Sequence, residues 1–265
     1  MKTKIISFVL VLCILCAALL TGCGQESPYQ VVDGAIKKTS ALDSAELTMD
    51  MTMGMVMDGS TISVPITAEI KGKGLQTESP VVDMDMTMSM LGQKMTISMY
   101  QEGEWAYMSM MGVNYKAKVS DLGGQYDYAQ NANDMVKPLP EEFYKDADIA
   151  EKDGTTTAVF KLDEKAFNKY YSDFLSGLNE TTQTGPVGDV KITNAVITIA
   201  VKNGYVETYG MAFKMEYQVE GEVVAADVDV VVKYKNAGKA IEVTPPEGYE
   251  KYEELDMSDL MGDIE

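Results

Sequence analysis

Met49-Asp50-Met51-Thr52-Met53-Gly54-Met55-Val56-Met57-Asp58-Gly59-Ser60-Thr61-Ile62-Ser63-Val64-Pro65-Ile66-Thr67-Ala68 is the stretch whose reading decides the fold. Methionine returns at every second position, so all five share one face of an extended strand. Asp58-Gly59 is a two-residue hairpin signal, because the favoured turn needs positive φ at its central positions. Folding back there sets Met55 against Ile62, Met53 against Val64, Met51 against Ile66 and Met49 against Ala68. All four pairs are apolar, and a slip of one residue would turn them to the other face.

The device repeats downstream. Met84, Met86, Met88 and Met90 alternate with Asp85, Thr87 and Ser89. A turn at Gly92-Gln93 predicts Met90 opposite Met95, Met88 opposite Ile97 and Met86 opposite Met99. A second turn, at Glu102-Gly103, predicts Met99 opposite Ala106, Ile97 opposite Met108 and Met95 opposite Met110. Between the second and third strands a two-residue loop at Lys73-Gly74 gives the wrong parity. A three-residue loop or a bulge restores it, and Gly72 and Gly74 suit either.

The C-terminal part reads as a three-strand meander. Val190 to Lys202 turns at Asn203-Gly204 into Tyr205 to Val219, then at Glu220-Gly221 into Glu222 to Tyr234. The last turn pairs Tyr217 with Val224, Met215 with Ala226, Phe213 with Val228, Met211 with Val230 and Tyr209 with Val232. That face is apolar, and Lys214, Glu216, Asp227 and Asp229 fall on the other. Tyr29, Val32, Ala35, Ile36 and Leu42 fit one helical face. Asp121 to Asp153 reads as loop with short helical pieces, and Thr155 to Leu162 as a strand. Asp163 is placed to N-cap a helix with Phe167, Tyr170, Tyr171, Phe174 and Leu178 on one side. Thr181 to Gly188 is a polar loop, and the acidic tail after Pro245-Pro246 is expected to be loosely held. The fold expected is α+β but mainly β. It is a large curled antiparallel sheet, a half-barrel of nine to eleven strands, with two or three helices packed on its concave face.

The start of the chain says where this body goes. Met1-Lys2-Thr3-Lys4 is basic, Ile5 to Leu20 is almost wholly apolar, and Thr21-Gly22 are small. That is the build of a secretory signal. Leu20-Thr21-Gly22-Cys23 resembles the lipobox of bacterial lipoproteins, whose cysteine is diacylated and becomes the mature N-terminus. The competing reading is a transmembrane anchor, for which Ile5 to Leu20 is short. The expected plan is a signal peptide at 1–22, a tether at 23–28, one domain at 29–250 and an acidic tail at 251–265. The expected location is the extracytoplasmic face of the cell membrane, with Cys23 as the lipidation site and the membrane as a partner through it.

Composition narrows the chemistry. The net charge of −19 becomes −21 once Lys2 and Lys4 leave with the signal. Such a body is repelled by nucleic acid and by anionic head groups, so no nucleic-acid partner is expected. The chain has no histidine, and its three cysteines are Cys13, Cys16 and Cys23. The mature domain therefore has no thiol for a disulfide, nucleophile or zinc site, and no imidazole base. An enzyme is not expected, nor a cofactor.

A lipobox, a short N-terminal helix, Met/Thr hairpins, the aromatic segment Tyr100-Gln101-Glu102-Gly103-Glu104-Trp105-Ala106-Tyr107-Met108 and a late meander ending in Ile241-Glu242-Val243-Thr244-Pro245-Pro246 follow in that order. This order resembles the LolA/LppX-like superfamily of bacterial lipoproteins and lipoprotein carriers, in particular its uncharacterised secreted members. The resemblance implies a half-barrel whose concave face, closed by helices, can hold acyl chains. It carries over no catalytic residue.

The methionine ladder is the sharpest candidate site. Fourteen methionines lie between Met49 and Met111, where an ordinary core would use Leu, Val and Ile. Methionine is flexible and polarisable, which suits varied apolar ligands. Met49, Met51, Met53 and Met55, then Met86, Met88 and Met90, then Met95, Ile97 and Met99, and finally Met108 and Met110 form the expected ligand-binding face. The competing readings are a filled core, in a structural or interaction lipoprotein, and a Cu(I) site of thioethers. Side chains at i and i+2 stand about 7 Å apart on a strand, so a copper site needs cross-strand help, and no metal ligand is assigned. Trp105, Tyr107 and Tyr115 are placed to rim an opening. The pairs Asp83/Asp85 and Asp227/Asp229 read as solvated strand faces, and Lys71-Gly72-Lys73-Gly74 lacks the spacing of a phosphate loop.

Overall fold

The computed structural model describes residues 27–57, 60–77, 79–90, 92–122, 139–169, 190–219 and 222–255. Helix α1 (Pro28–Ser40) starts where its sequence dictates. Ser27 caps it, Gln30 completes a capping box, and Pro28 opens the first turn, where a missing N–H costs nothing. Val32, Ala35, Ile36 and Thr39 are its buried stripe.

Twelve strands follow: β1 (Ser44–Met57), β2 (Ser60–Lys73), β3 (Val81–Met90), β4 (Gln93–Glu102), β5 (Trp105–Met110), β6 (Val113–Lys118), β7 (Tyr144–Lys152), β8 (Thr155–Leu162), β9 (Lys191–Lys202), β10 (Tyr205–Val219), β11 (Glu222–Lys235) and β12 (Glu253–Glu254). They form one open, curled sheet in the order β12-β6-β5-β4-β3-β2-β1-β11-β10-β9-β8-β7. Only the two-residue β12 runs parallel to its neighbour. The α+β, mainly β half-barrel is therefore present, with one strand more than the sequence reading counted.

The first hairpin has the expected register, with Met55↔Ile62, Met53↔Val64, Met51↔Ile66 and Met49↔Ala68. The last hairpin agrees as well, from Tyr217↔Val224 to Tyr209↔Val232. The turn residues 58–59 and 220–221 lie outside the described residues. Asn203 (φ 54°) and Gly204 (φ 75°) form the left-handed pair that a tight hairpin requires.

Two expected registers are wrong by two residues. β3 and β4 pair Met88↔Met95, Met86↔Ile97 and Met84↔Met99. β4 and β5 pair Ile97↔Met110, Met99↔Met108 and Gln101↔Ala106. Glycine decides both: Gly92 takes φ 80° as the second turn residue, and Gly103 takes φ 60° as the first. A shift of two leaves every side chain on its face, so the ladder survives the correction. The connection from β2 to β3 spans residues 74–80, still odd in number but longer than the three expected. Leu75 folds back over Gly72, where a Cβ would stand 2.7 Å from Leu75 Cδ2, and its N–H donates to the Asp43 carbonyl.

Other differences lie at the sheet edges. Tyr144–Lys152 is a strand, not loop with helical pieces; it is exposed beyond Tyr144 and charged, as suits an edge. The described residues after Pro246 are held as far as Leu255, since β12 pairs with β6 and the Leu255 N–H donates to the Lys116 carbonyl; residues 256–265 lie outside the described residues. The helix after β8 covers residues 164–169 here, and Asp163 does cap it, accepting from the Ala166 N–H at 2.8 Å. Phe167 is buried in the core, whereas Tyr170, Tyr171, Phe174 and Leu178 lie outside the described residues.

The core sits between α1 and the inner face of the sheet. Val32 and Ile36 meet Phe160, Ile192, Ile197, Ile199, Val206 and Val232 in one cluster that runs on to Leu47, Ile70, Val82 and Ala106. Thr39 ties the helix to the sheet. Its Oγ1 donates to the Ala35 carbonyl at 2.8 Å and accepts from the Val206 N–H at 2.9 Å.

Candidate functional site

The registers assemble the methionines into rows across the inner face. One row runs Val230, Met51, Ile66, Met88, Met95. The next runs Val232, Met49, Ala68, Met86, Ile97, Met110. A third runs Leu47, Ile70, Met84, Met99, Met108, Tyr115. Neighbouring strands are about 4.8 Å apart, so side chains within a row touch while those along a strand do not. Met84, read as part of the alternating block but not placed in the expected ligand-binding face, sits in the third row between Ile70 and Met99.

Burial grades along the ladder. Met99, 2% exposed, and Met108 belong to the core, while Met49, Met84 and Met86 pack against it from half-buried positions. Met51, Met53, Met55, Met88, Met95 and Ile97 are half-buried and Met110 is exposed. Met90 pairs with Gln93, and its side chain lies outside the described residues. Helix α1 packs chiefly on β10, β7 and β9. The helix thus covers the Val/Ile half of the sheet rather than the methionine half. Cys23 lies outside the described residues.

A family model described as "Family of unknown function (DUF6612)" matches residues 27–250. The chain belongs to that family. Among solved structures, the DUF6612 domain is similar to LprF from Mycobacterium bovis, with 11% identity and a TM-score of 0.46 over 83% of this chain and 97% of that one. It is also similar to a DUF1329 family protein from Desulfovibrio piger, with 8% identity and a TM-score of 0.25 over 82% of this chain and 93% of that one. No curated protein matches.

One polar group in the DUF6612 domain escaped the sequence reading. Alternation along β4 places Gln101 on the inner face with Met95, Ile97 and Met99, between Val82 and Ala106. It is 4% exposed, and its Oε1 has no hydrogen-bond partner. A buried acceptor left unpaired costs about 1–3 kcal/mol, so a donor that reached this oxygen would be favoured. The signal in the sequence is the period-two alternation Met95, Ile97, Met99, Gln101. Nearby, Val82 lines a cavity of about 20 Å³ with Leu42, Leu47, Ile70, Leu75 and Tyr234, which has room for about one water. Burial raises the Tyr234 hydroxyl well above its ordinary pKa.

The remaining candidates separate. Tyr115 shares the inner face, but Trp105 and Tyr107 point outward, so the three do not rim one opening. Tyr107 stacks edge-on against Tyr249 at 5.0 Å, beside buried Tyr100, which pins the C-terminal segment to the outer face. Lys116 Nζ stands 4.7 Å from the Trp105 ring. Asp83 and Asp85 are on the outer face, where Ser98 Oγ donates to Asp85 and Asp227 pairs with Lys214 at 3.3 Å. Burial, and next the charge of Asp85, raise the Asp83 carboxyl above its usual range, with Lys71 opposing. Among the described residues, no group of three His, Cys, Asp or Glu side chains is placed to hold a metal ion, and no helix is long and apolar enough to cross a membrane.

Proposed function

We propose that this chain is a membrane-anchored, extracytoplasmic lipoprotein that holds a hydrophobic ligand, a lipid or acyl chain, on its methionine-lined inner face, and that it performs no chemistry on that ligand. The observation that carries the reading is the set of half-buried thioethers on β1, β3 and β4, on either side of the Val64, Ile66 and Ala68 face of β2 and beside the part of the sheet that α1 covers. Each Å² of apolar ligand surface withdrawn from water there contributes about 25 cal/mol, and the flexible thioethers fit to its shape. Gln101 Oε1 supplies one polar fix at the foot of the face. Diacylation at Cys23 keeps the face near its lipid source, since two acyl chains hold stably where one does not. Passive binding of this kind needs no histidine, thiol or cofactor.

The test is extraction of the purified protein followed by mass spectrometry, with uptake of a fluorescent fatty acid measured on the stripped sample. Co-purified lipid and saturable uptake support the carrier reading; an empty protein that takes up nothing overturns it. A second reading, a structural or interaction lipoprotein with a filled core, draws on the burial of Met99 and Met108. It predicts the empty outcome. A third, Cu(I) held by thioethers, draws on the cross-strand row Met84, Met99, Met108. It requires competition with a Cu(I) chelator, which the carrier reading predicts will be absent.

A further inference from the structure

The two ends of the sheet differ in what they expose. Six large apolar side chains are exposed among the described residues: Val56, Met110, Met111, Val113, Val223 and Ile149. The first five all flank hairpin tips, and those tips lie at one end of the sheet. The β1–β2 link follows Met57, the β5–β6 link is Met111-Gly112, and the β10–β11 link precedes Glu222. Antiparallel pairing of β1 with β11 puts Val56 beside Ala225, so these tips share an end rather than alternating. Met111, Val113 and Val223 are 81%, 63% and 64% exposed. Met111 also stands at φ 52°, a conformation that a large apolar side chain rarely takes. None of the six lies at the turns of the opposite end, Gly103-Glu104, Asp153-Gly154 and Asn203-Gly204; the links of the first end combine these apolar side chains with Asp58, Glu220 and Glu222 in sequence.

The start of the domain emerges at the first of these ends. Tyr29, in the first turn of α1, stacks on Tyr144 at 5.3 Å. Tyr144 opens β7 and pairs with Leu162, the last residue of β8, which marks the same end of the sheet. The last turn of α1, by contrast, reaches Val206 near the opposite end. Cys23 precedes Ser27 by four residues, a reach of at most about 14 Å. Strand β1, at about 3.3 Å per residue, is roughly 46 Å long. A lipid on Cys23 would therefore hold this end of the sheet, from its β7 edge, nearer to the bilayer than the opposite turns.

We propose that the hairpin-tip end of the sheet seats on the bilayer surface, with Met111, Val113, Val223 and Val56 in the interfacial layer. This rests on the anchoring at Cys23 proposed above, and it sets the end by which a ligand exchanges with the membrane. The contact combines exposed apolar side chains with Asp58, Glu220 and Glu222 at the same links, so a zwitterionic surface suits it better than an anionic one, given the net charge of −19.

The single tryptophan makes the orientation measurable. Trp105 sits beside the Gly103-Glu104 turn, at the opposite end. The full lipid-modified chain is reconstituted into phosphatidylcholine vesicles carrying brominated acyl chains, and tryptophan emission is read. Native Trp105 is expected to keep its emission. Two variants move the probe, Trp105→Phe with Val223→Trp and Trp105→Phe with Val113→Trp; both are expected to lose most of theirs. Probes that stay bright at both positions, on protein that floats with the vesicles, overturn the proposal while leaving the anchor standing. Emission that responds to protein concentration instead of brominated lipid assigns the tips to a second copy and also overturns it. Protein that fails to float removes the anchor and the proposal together. Quenched probes on a protein that takes up no fatty acid support the seating and sink only the carrier reading.

Discussion

Under α1 the inner face of the sheet is built from Ala158, Phe160, Ile192, Ile197, Ile199 and Val232, all buried. Across β1 the same face continues as Met51, Met53, Met88 and Met95, all half-buried. The β-branched residues have few rotamers and pack one way, whereas methionine has three freely turning bonds and fills whatever shape it meets. One half of the sheet is therefore specified by its packing against a helix. Among the described residues the other half is not covered by α1, and its methionines stay adaptable at the side-chain level. Both the extent of burial and the conformational freedom of the side chains separate the halves.

The largest effect should come from cutting the rigid half. Ile197 is 0% exposed beneath α1, so Ile197→Ala is expected to cost about 2–5 kcal/mol, read as a fall in the denaturant midpoint. Fatty-acid uptake per folded molecule should not change. A loss below about 1 kcal/mol would mean that the two halves are packed alike, and the comparison would break.

Gln101 tests the boundary between the halves. Replacing it with methionine extends the ladder and removes the unpaired Oε1. In stripped protein, Gln101→Met is expected to raise stability by about 1–3 kcal/mol. In lipid-loaded protein the gain should shrink or reverse, because a ligand donor would have satisfied the oxygen. An identical shift in both samples removes Gln101 from the site.

The adaptable half calls for a gentler change. Converting Met51, Met53, Met88 and Met95 to leucine conserves volume, and each swap is expected to cost less than about 1.5 kcal/mol. The expected signature lies in selectivity. Uptake should narrow to fewer acyl-chain lengths, measured by competition with fatty acids of graded length. Unchanged breadth would indicate that the thioethers are ordinary filling.

The sequence was most readable where polarity and turn chemistry agreed. Asp58-Gly59 and Glu220-Gly221 fixed the register of their hairpins because apolar residues alternate cleanly on either side. In β3 to β5 a shift of two still puts methionine opposite methionine or isoleucine, so side-chain pattern alone is degenerate there. Only the left-handed φ of Gly92 and Gly103 breaks the tie; Gly92 takes the second turn position but follows a leucine instead of an aspartate, and Gly103 takes the first. β7 was invisible because Lys145, Asp146, Asp148, Glu151 and Lys152 leave it no apolar alternation. Tyr249 and Tyr252 dock on Tyr107 through rings far apart in the chain, which no local pattern encodes. At the candidate site, the common face of the methionines was legible and the polar exception at Gln101 was passed over.

The smallest effect concerns the outer surface of the methionine half. Asp83 backs the ladder from β3, opposite Lys71 on one side and Tyr100 on the other. Partial burial is the main cause of its raised pKa, followed by the charge of Asp85. In the folded state the carboxyl therefore holds its proton to a higher pH than in the unfolded chain. Between the two pKa values the folded form binds more protons, so stability falls as pH rises through that window, just above the usual carboxylate range. Below the unfolded pKa both states are protonated and the penalty is absent. Asp83→Asn should accordingly be neutral to slightly stabilising near pH 7, with the difference from the parent vanishing on acidification below about pH 4. Paired thermal melts across that range read it directly. A variant destabilised at pH 7 would show that the Lys71 contact outweighs burial. The outer surface behind the methionines would then be held by charge pairing, and the contrast between the halves would extend to both sides of the sheet.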